Sequence, residues 1–172
     1  LLSRMTLEEK VAQMSMKTLS DFELDENGKV PEADLKEFFG DCGVGFLESP
    51  FIEHDKIALI SQSADKYVRE HTRLGIPSIQ IAECLHGHLS LGTTIFPQSI
   101  GLGSTWNPTL IYKMAEVIAT EASLAGVDQA LSPLFDLARD PRYGRGEECY
   151  GEDPFLVKQM GVAFVKGLQG EP

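Results

Sequence analysis

Arg139-Asp140-Pro141-Arg142-Tyr143-Gly144-Arg145-Gly146-Glu147-Glu148-Cys149-Tyr150-Gly151-Glu152-Asp153-Pro154 lies between two apolar runs, Val127 to Leu137 and Phe155 to Leu168. Its closing Asp153-Pro154 reads as a helix start, because aspartate caps exposed backbone N–H groups and proline fits the first helical position. The run before it reads as a strand with its outgoing loop. Strand, charged loop and helix in that order make one unit of a parallel α/β fold. The loop holds three arginines and five acids, too many charges for a core connection, and reads as a ligand-binding rim.

Working outward, the same rhythm recurs. Asn107-Pro108 repeats the cap-plus-proline start, and Leu110, Ile111, Met114, Val117, Ile118 and Leu124 carry a helix on to Gly126. Ile76 to Ile81 reads as a strand with Pro77 tolerated at its beginning. Gly43 to Leu47, bounded by glycine and Pro50, suits a shorter buried strand. Between them His54 to Thr72 is helical, with Ile57, Ile60, Ala64, Tyr67 and Val68 on one side. Thr6 and Glu9 form a capping box for a helix over Leu7 to Lys17 whose apolar face is Leu7, Val11 and Met14. Asp21 to Lys29 is an acidic surface excursion ending in the Asn27-Gly28 turn, and Pro31 to Phe39 a short helix. About three strand-helix units result, with no internal repeat. They fit a doubly wound sheet or part of a (β/α)8 barrel.

At 172 residues and 42% hydrophobic the chain buries roughly two thirds of its unfolded surface. Its net charge of -11 argues against nucleic acid, which calls for a basic face. Cys42, Cys84 and Cys149 are too few and too scattered for a disulfide scaffold or a zinc knuckle. The opening Leu1-Leu2-Ser3-Arg4 has no basic stretch followed by an apolar run, so neither a signal peptide nor a membrane partner is expected from it, a removed leader being left open. Dinucleotide and phosphate-loop glycine motifs are absent, the nearest approach being Gly101-Leu102-Gly103.

Ligands of open sheets and barrels gather beyond the carboxyl ends of strands, where Glu83 to His88 and Arg139 to Asp153 both fall. Glu83 is suited either to accept hydrogen bonds from a polyol or to pair with a buried arginine. His86 either contacts ligand or supports its loop, and Gly87 lets backbone approach a ligand closely. His86 and His88 lack a third ligand and make a weak metal signal. Arg145 offers a donor fork for sugar hydroxyls or a counter-charge for a carboxylate. Arg139, Asp140 and Arg142 read chiefly as a loop-fixing network. Glu147, Glu148 and Glu152 are acid candidates, and Asp153 is the helix cap. Tyr143 and Trp106 offer faces for sugar rings, with packing beneath a loop preferred for Trp106.

Together these motifs resemble the amino-terminal barrel domain of glycoside hydrolase family 3. The resemblance rests on Met5-Thr6-Leu7-Glu8-Glu9-Lys10-Val11, Arg73-Leu74-Gly75-Ile76-Pro77, Glu83-Cys84-Leu85-His86-Gly87, Thr94-Ile95-Phe96-Pro97-Gln98, Leu131-Ser132-Pro133 and the Arg139 to Pro154 run. They stand in the family's order and cover the chain from Met5 to Gly170.

The resemblance implies residues 1–172 of an incomplete (β/α)8 TIM-type barrel, its amino-terminal portion only. It implies a retaining β-glycosidase that removes terminal nonreducing β-D-glucosyl residues as part of a longer enzyme in polysaccharide degradation. A β-xylosidase or arabinosidase of the same family, or a noncatalytic sugar-binding fragment, is the alternative. By family position Glu83 and Arg145 bind hydroxyls of the terminal sugar, with His86, Arg142, Tyr143 and Glu148 as site support. Tyr143 replaces the commoner tryptophan, Cys84 a frequent alanine, and Glu83 an aspartate in many members. The longer Glu83 crowds a hydroxymethyl group, which makes the xyloside alternative credible.

In the family the aspartate nucleophile, the general acid/base and a substrate-binding Lys-His pair lie further along than Pro172, so 172 residues alone are expected to turn over little or nothing. The implied partners are β-linked glucoside or xyloside oligosaccharides, the remainder of the barrel and a second α/β domain. No organic cofactor or metal is implied. The family suggests a periplasmic or extracellular location, with a cytoplasmic one left open.

Overall fold

The structure is a computed structural model that describes residues 1–19, 22–49 and 51–170. Asp21 and Pro50, expected at the head of the acidic excursion and beside a strand, lie outside them.

Four strands run in the order β1 (Met16–Thr18), β2 (Phe46–Glu48), β3 (Ile79–Ala82) and β4 (Gln129–Ala130), the first three paired in parallel. Helices α1 (Leu7–Ala12), α2 (Glu32–Phe39) and α3 (His54–His71) precede or link the first three strands. Helices α4 (Ser99–Gly103) and α5 (Pro108–Leu124) lead to β4, and α6 (Pro154–Gln169) follows it. Strand, helix and parallel strand in sequence order give the expected incomplete (β/α)8 arrangement.

The chain divides into two compact units. The first comprises Leu1–Ala82, Ser90–Gly92 and Leu124–Gln129. In it Met16, Lys17 and Thr18 pair with Phe46, Leu47 and Glu48, which pair in turn with Ile79, Gln80 and Ile81. Paired residues of parallel strands share a face. Lys17, Leu47 and Gln80 face the helices, where Leu47 packs with Leu35, Phe39, Ile60, Ala64 and Val68. Lys17 donates its ammonium to the Phe38 carbonyl and lies over that ring. Met16 and Ile79, on the other face, are exposed. All five apolar residues assigned to the inner side of α3 are buried.

Four expectations for this unit are corrected. The first helix stops at Ala12, and the Met16–Thr18 segment is a strand because it pairs with β2. Leu7, Val11 and Met14 are exposed and Glu9 is the buried residue of α1. Glu9 fixes that orientation, accepting from Arg73 Nε at 2.8 Å and Arg73 Nη2 at 2.6 Å while completing the Thr6 capping box. The strand expected over Gly43 to Leu47 pairs only from Phe46, since Gly43 has φ +71°. The next begins at Ile79, past Pro77, which has no N–H to give the ladder.

The second unit comprises Glu83–Leu89, Thr93–Ser123 and Ala130–Pro172. Ile111, Met114, Ala115 and Ile118 of α5 and Val157, Met160 and Phe164 of α6 are buried in it. The two helices approach closely at Gly167, where a Cβ would stand 2.3 Å from the Tyr112 carbonyl oxygen. Asn107 and Asp153 cap as expected, accepting from the backbone N–H of Leu110 at 3.1 Å and Leu156 at 2.8 Å. The α5 helix ends at Leu124, two residues short of the expected Gly126, whose φ is +85°. The strand and outgoing loop expected over Val127 to Leu137 divide early, the strand occupying Gln129–Ala130 and the chain from Leu131 to Asp140 having no helix or strand. Trp106, expected beneath a loop, is 67% exposed.

Candidate functional site

Glu83 leaves the carboxyl end of β3 directly after buried Ala82. The next residue, Cys84, has φ +57°, a left-handed conformation costly for a side chain with a Cβ. Cys84 is wholly buried, and burial, then the Glu83 charge, pushes its thiol up to about 12. The strand therefore ends in a sharp, packed turn that sets the direction of Glu83.

The turn continues into a stapled loop. Phe96 N–H donates to the His86 carbonyl at 2.8 Å, and His86 Nδ1–H donates back to the Phe96 carbonyl at 2.8 Å. Thr93 Oγ1 donates to the His88 carbonyl at 2.6 Å. Gly87 has φ +151°, and a Cβ there would stand 2.5 Å from the Thr94 carbonyl oxygen. His86 thus supports its loop, and the close approach that Gly87 permits is made by the chain's own backbone rather than by a ligand.

The charged rim belongs to the same unit. Asp140 accepts from Arg142 N–H at 2.9 Å and pairs with the Arg142 guanidinium at 2.5 Å, opening a helical turn over Pro141–Tyr143. The pair holds the Asp140 carboxyl below its ordinary range. Arg142, expected beside the site, is thereby committed to its own turn. Arg139 Nε donates to the Glu152 carbonyl at 3.3 Å. These contacts are the loop-fixing network expected of Arg139, Asp140 and Arg142. Glu147 and Glu152 are exposed.

Arg145 is different. Its Nε and Nη2 donate to the two oxygens of Glu148 at 2.9 and 2.5 Å, a bidentate pair. Its side chain is half exposed while that of Glu148 is 17% exposed. The Glu148 carboxylate foremost, with Tyr143 and Glu83 adding to it, raises the guanidinium above its already high ordinary value. Burial and the neighbouring Asp136 raise the Tyr143 phenol. Glu83, Tyr143, Arg145 and Glu148 therefore share one electrostatic neighbourhood.

The bland alternative for Glu83, an ion pair with a buried arginine, is not what the fold builds, since Arg145 pairs with Glu148. Among the described residues nothing hydrogen-bonds the Glu83 carboxylate or the Arg145 Nη1 group. A carboxylate acceptor and an oriented guanidinium donor are the two kinds of group that vicinal hydroxyls require. Among the described residues no group of three or more His, Cys, Asp or Glu side chains is arranged to hold a metal ion. Asp136, which acts on Tyr143, was not singled out in the sequence.

Residues 6–172 match the Glycosyl hydrolase family 3 N terminal domain. The chain is 47% identical over 136 residues to a β-xylosidase of Formosa agariphila, covering 76% of this chain and 18% of that protein. It is 33% identical to a periplasmic β-glucosidase of Salmonella typhimurium, covering 99% of this chain and 20% of that protein. Its fold superposes on a β-glucosidase structure from Erythrobacter marinus with a TM-score of 0.81 at 32% identity, over 99% of this chain and 22% of that one. The chain thus spans about a fifth of the length of the relatives it matches. With the match running over nearly every residue and the parallel sheet in common, the chain belongs to glycosyl hydrolase family 3, in its amino-terminal domain.

Proposed function

We propose that these residues form the sugar-positioning part of a retaining β-glycosidase that releases terminal nonreducing β-D-glucosyl residues. The observation that carries this reading is an Arg145 guanidinium that Glu148 already orients through Nε and Nη2 and on which the Glu83 charge also acts. Glu83 accepts from hydroxyls of the terminal sugar and Arg145 donates to them. Both hold the anomeric carbon still while an aspartate beyond Pro172 attacks it. A general acid, also beyond Pro172, protonates the leaving oxygen, and activated water then releases the glycosyl-enzyme. Tyr143 supplies an apolar face beside the ring. The remaining barrel strands and a second α/β domain complete the enzyme.

A β-xyloside reading stands beside the glucoside one, supported by the 47% identical β-xylosidase and by the reach of glutamate at position 83. Xylose lacks the hydroxymethyl group that the longer side chain would crowd. A periplasmic relative supports export to the periplasm or beyond. No helix among the described residues is long and apolar enough to cross a membrane.

The test starts with the intact mass of the native gene product, expected well above 18.9 kDa, followed by hydrolysis of 4-nitrophenyl β-D-glucoside and β-D-xyloside. Glu83→Ala and Arg145→Ala should each lower kcat/KM by about tenfold to a hundredfold, the loss of one charge-assisted hydrogen bond. A long product inert on both glycosides, or unaffected by both substitutions, would refute the reading. A native product near 18.9 kDa that binds glucose or xylose without turnover would establish a sugar-binding protein instead.

A further inference from the structure

Glu121 lies on α5, outside the charged rim and the Glu83 loop, yet its carboxylate grips one residue of the second unit twice. Thr94 N–H donates to Oε2 at 2.9 Å and Thr94 Oγ1 donates to Oε1 at 2.8 Å. Neutral hydrogen bonds to an exposed loop are replaceable by water, whereas a carboxylate accepting from both a backbone N–H and a hydroxyl fixes position as well as energy. Thr94 in turn presses its carbonyl against Gly87, with 2.5 Å left for a Cβ. The flanking residues complete the grip, Phe96 exchanging two hydrogen bonds with His86 and Thr93 donating to the His88 carbonyl. From His86 the backbone runs through Leu85 and the strained Cys84 to Glu83.

We propose that Glu121 is a positioning residue for Glu83, acting through Thr94 and Gly87. The inference rests on the sugar-binding reading of Glu83. The loop 83–88 has an unfavourable left-handed residue at its start, and such a conformation persists only where the surroundings impose it. Helix α5 is the helix that anchors this clamp, holding Thr94 through Glu121 while Phe96 and Thr93 bond the loop itself, because residues 93–96 have no strand or helix of their own. Releasing Thr94 lets the 93–96 segment retreat from Gly87, the Cys84 turn relax and the Glu83 carboxylate drift from the sugar.

The experiment is a double-substitution cycle in the full-length gene product, with the 4-nitrophenyl glycoside it hydrolyses better. Glu121→Ala should lower kcat/KM by about tenfold or more, chiefly through KM. In a Glu83→Ala background the same change should cost less than about threefold, since the group it positions is gone. Glu121→Gln, which keeps an acceptor for Thr94, should recover part of the loss. Equal fold-losses in both backgrounds, or no loss from Glu121→Ala, would overturn the proposal while leaving Glu83 in its role. Thr94→Val removes only the hydroxyl contact and carries the same cycle if Glu121→Ala does not fold. Enzyme that is indifferent to Glu83→Ala overturns the sugar-binding reading and this proposal together.

Discussion

Gly87→Ala tests the geometry at its tightest point. The new Cβ would stand 2.5 Å from the Thr94 carbonyl oxygen and 3.1 Å from Ile95 Cδ1. A carbon and a carbonyl oxygen rest about 3.4 Å apart. The two backbone segments must therefore part by roughly 0.9 Å or the φ of +151° must change, and both moves drag the loop that begins at Glu83. A conformation reserved for glycine costs about 1–3 kcal/mol and overpacking about 1–3 kcal/mol, so the variant should lose roughly 2–6 kcal/mol by urea unfolding of the full-length product. Misplacing a binding group by about 1 Å can cost a hundredfold in rate, so kcat/KM on 4-nitrophenyl glycosides should fall by about that factor. Gly92→Ala is the control. Its φ is +92° but nothing stands within 4 Å of its Cβ, so it should lose only about 1–2 kcal/mol and keep its kcat/KM. If the two variants lose stability equally and both keep kcat/KM, the close approach at Gly87 does not hold Glu83.

Asp153→Ala removes the cap on α6, a 2.8 Å hydrogen bond from Leu156 N–H, and should cost about 1 kcal/mol in urea unfolding, whereas Asp153→Asn should restore most of it. Arg73, and after it the Thr6 N–H, hold the Glu9 carboxyl below its ordinary 4.5. The unfolded chain then binds the extra proton first, so this stabilisation is full above pH 4.5 and lost as pH falls through the lower folded value. Glu9→Gln should flatten that part of the acid-unfolding profile, and an unchanged profile would refute the assignment. Cys84, with its thiol at about 12 and no exposed surface, should resist a thiol reagent at neutral pH while the half-buried Cys42 reacts. Peptide mapping by mass spectrometry separates the two, and early labelling of Cys84 would mean that the packed turn after Glu83 opens.

Features whose cause lies within a few residues were legible in the sequence. The Thr6–Glu9 box and the Asn107 and Asp153 caps each close over three residues, and the buried side of α3 follows its 3.6-residue period. Features whose partner lies far along the chain were not. The faces of α1 read inverted because the residue that turns it, Arg73, is 64 positions from Glu9. The first strand was lost because Met16-Lys17-Thr18 is three residues long and only its pairing with Phe46, Leu47 and Glu48 makes it a strand. Within the site, Glu83 and Arg145 stood out by family position, while Glu121 sits 27 positions from Thr94 in an ordinary amphipathic helix that offers no reason to single it out.

The charge density of the rim does not single out one of its arginines, and the pairings separate them. Arg139 turns to the Glu152 carbonyl, Arg142 to Asp140 and Arg145 to Glu148. The Glu83 charge acts on Arg145. Had Arg145 closed directly on Glu83, a sugar hydroxyl would have had to break a charge-assisted pair to bind. Glu148 removes that obstacle by taking the Nε and Nη2 edge. The guanidinium is held in one orientation before any ligand arrives, so much of the rotamer freedom an arginine loses on binding is already spent. Glu148 is the more buried partner, at 17% against 50% exposed, so the anchor is less screened than the edge it leaves for a sugar. In the proposed reading three acids serve one subsite in different ways, Glu83 as the acceptor offered to ligand, Glu148 as the anchor of the donor, and Glu121 as the hold on the loop that carries Glu83.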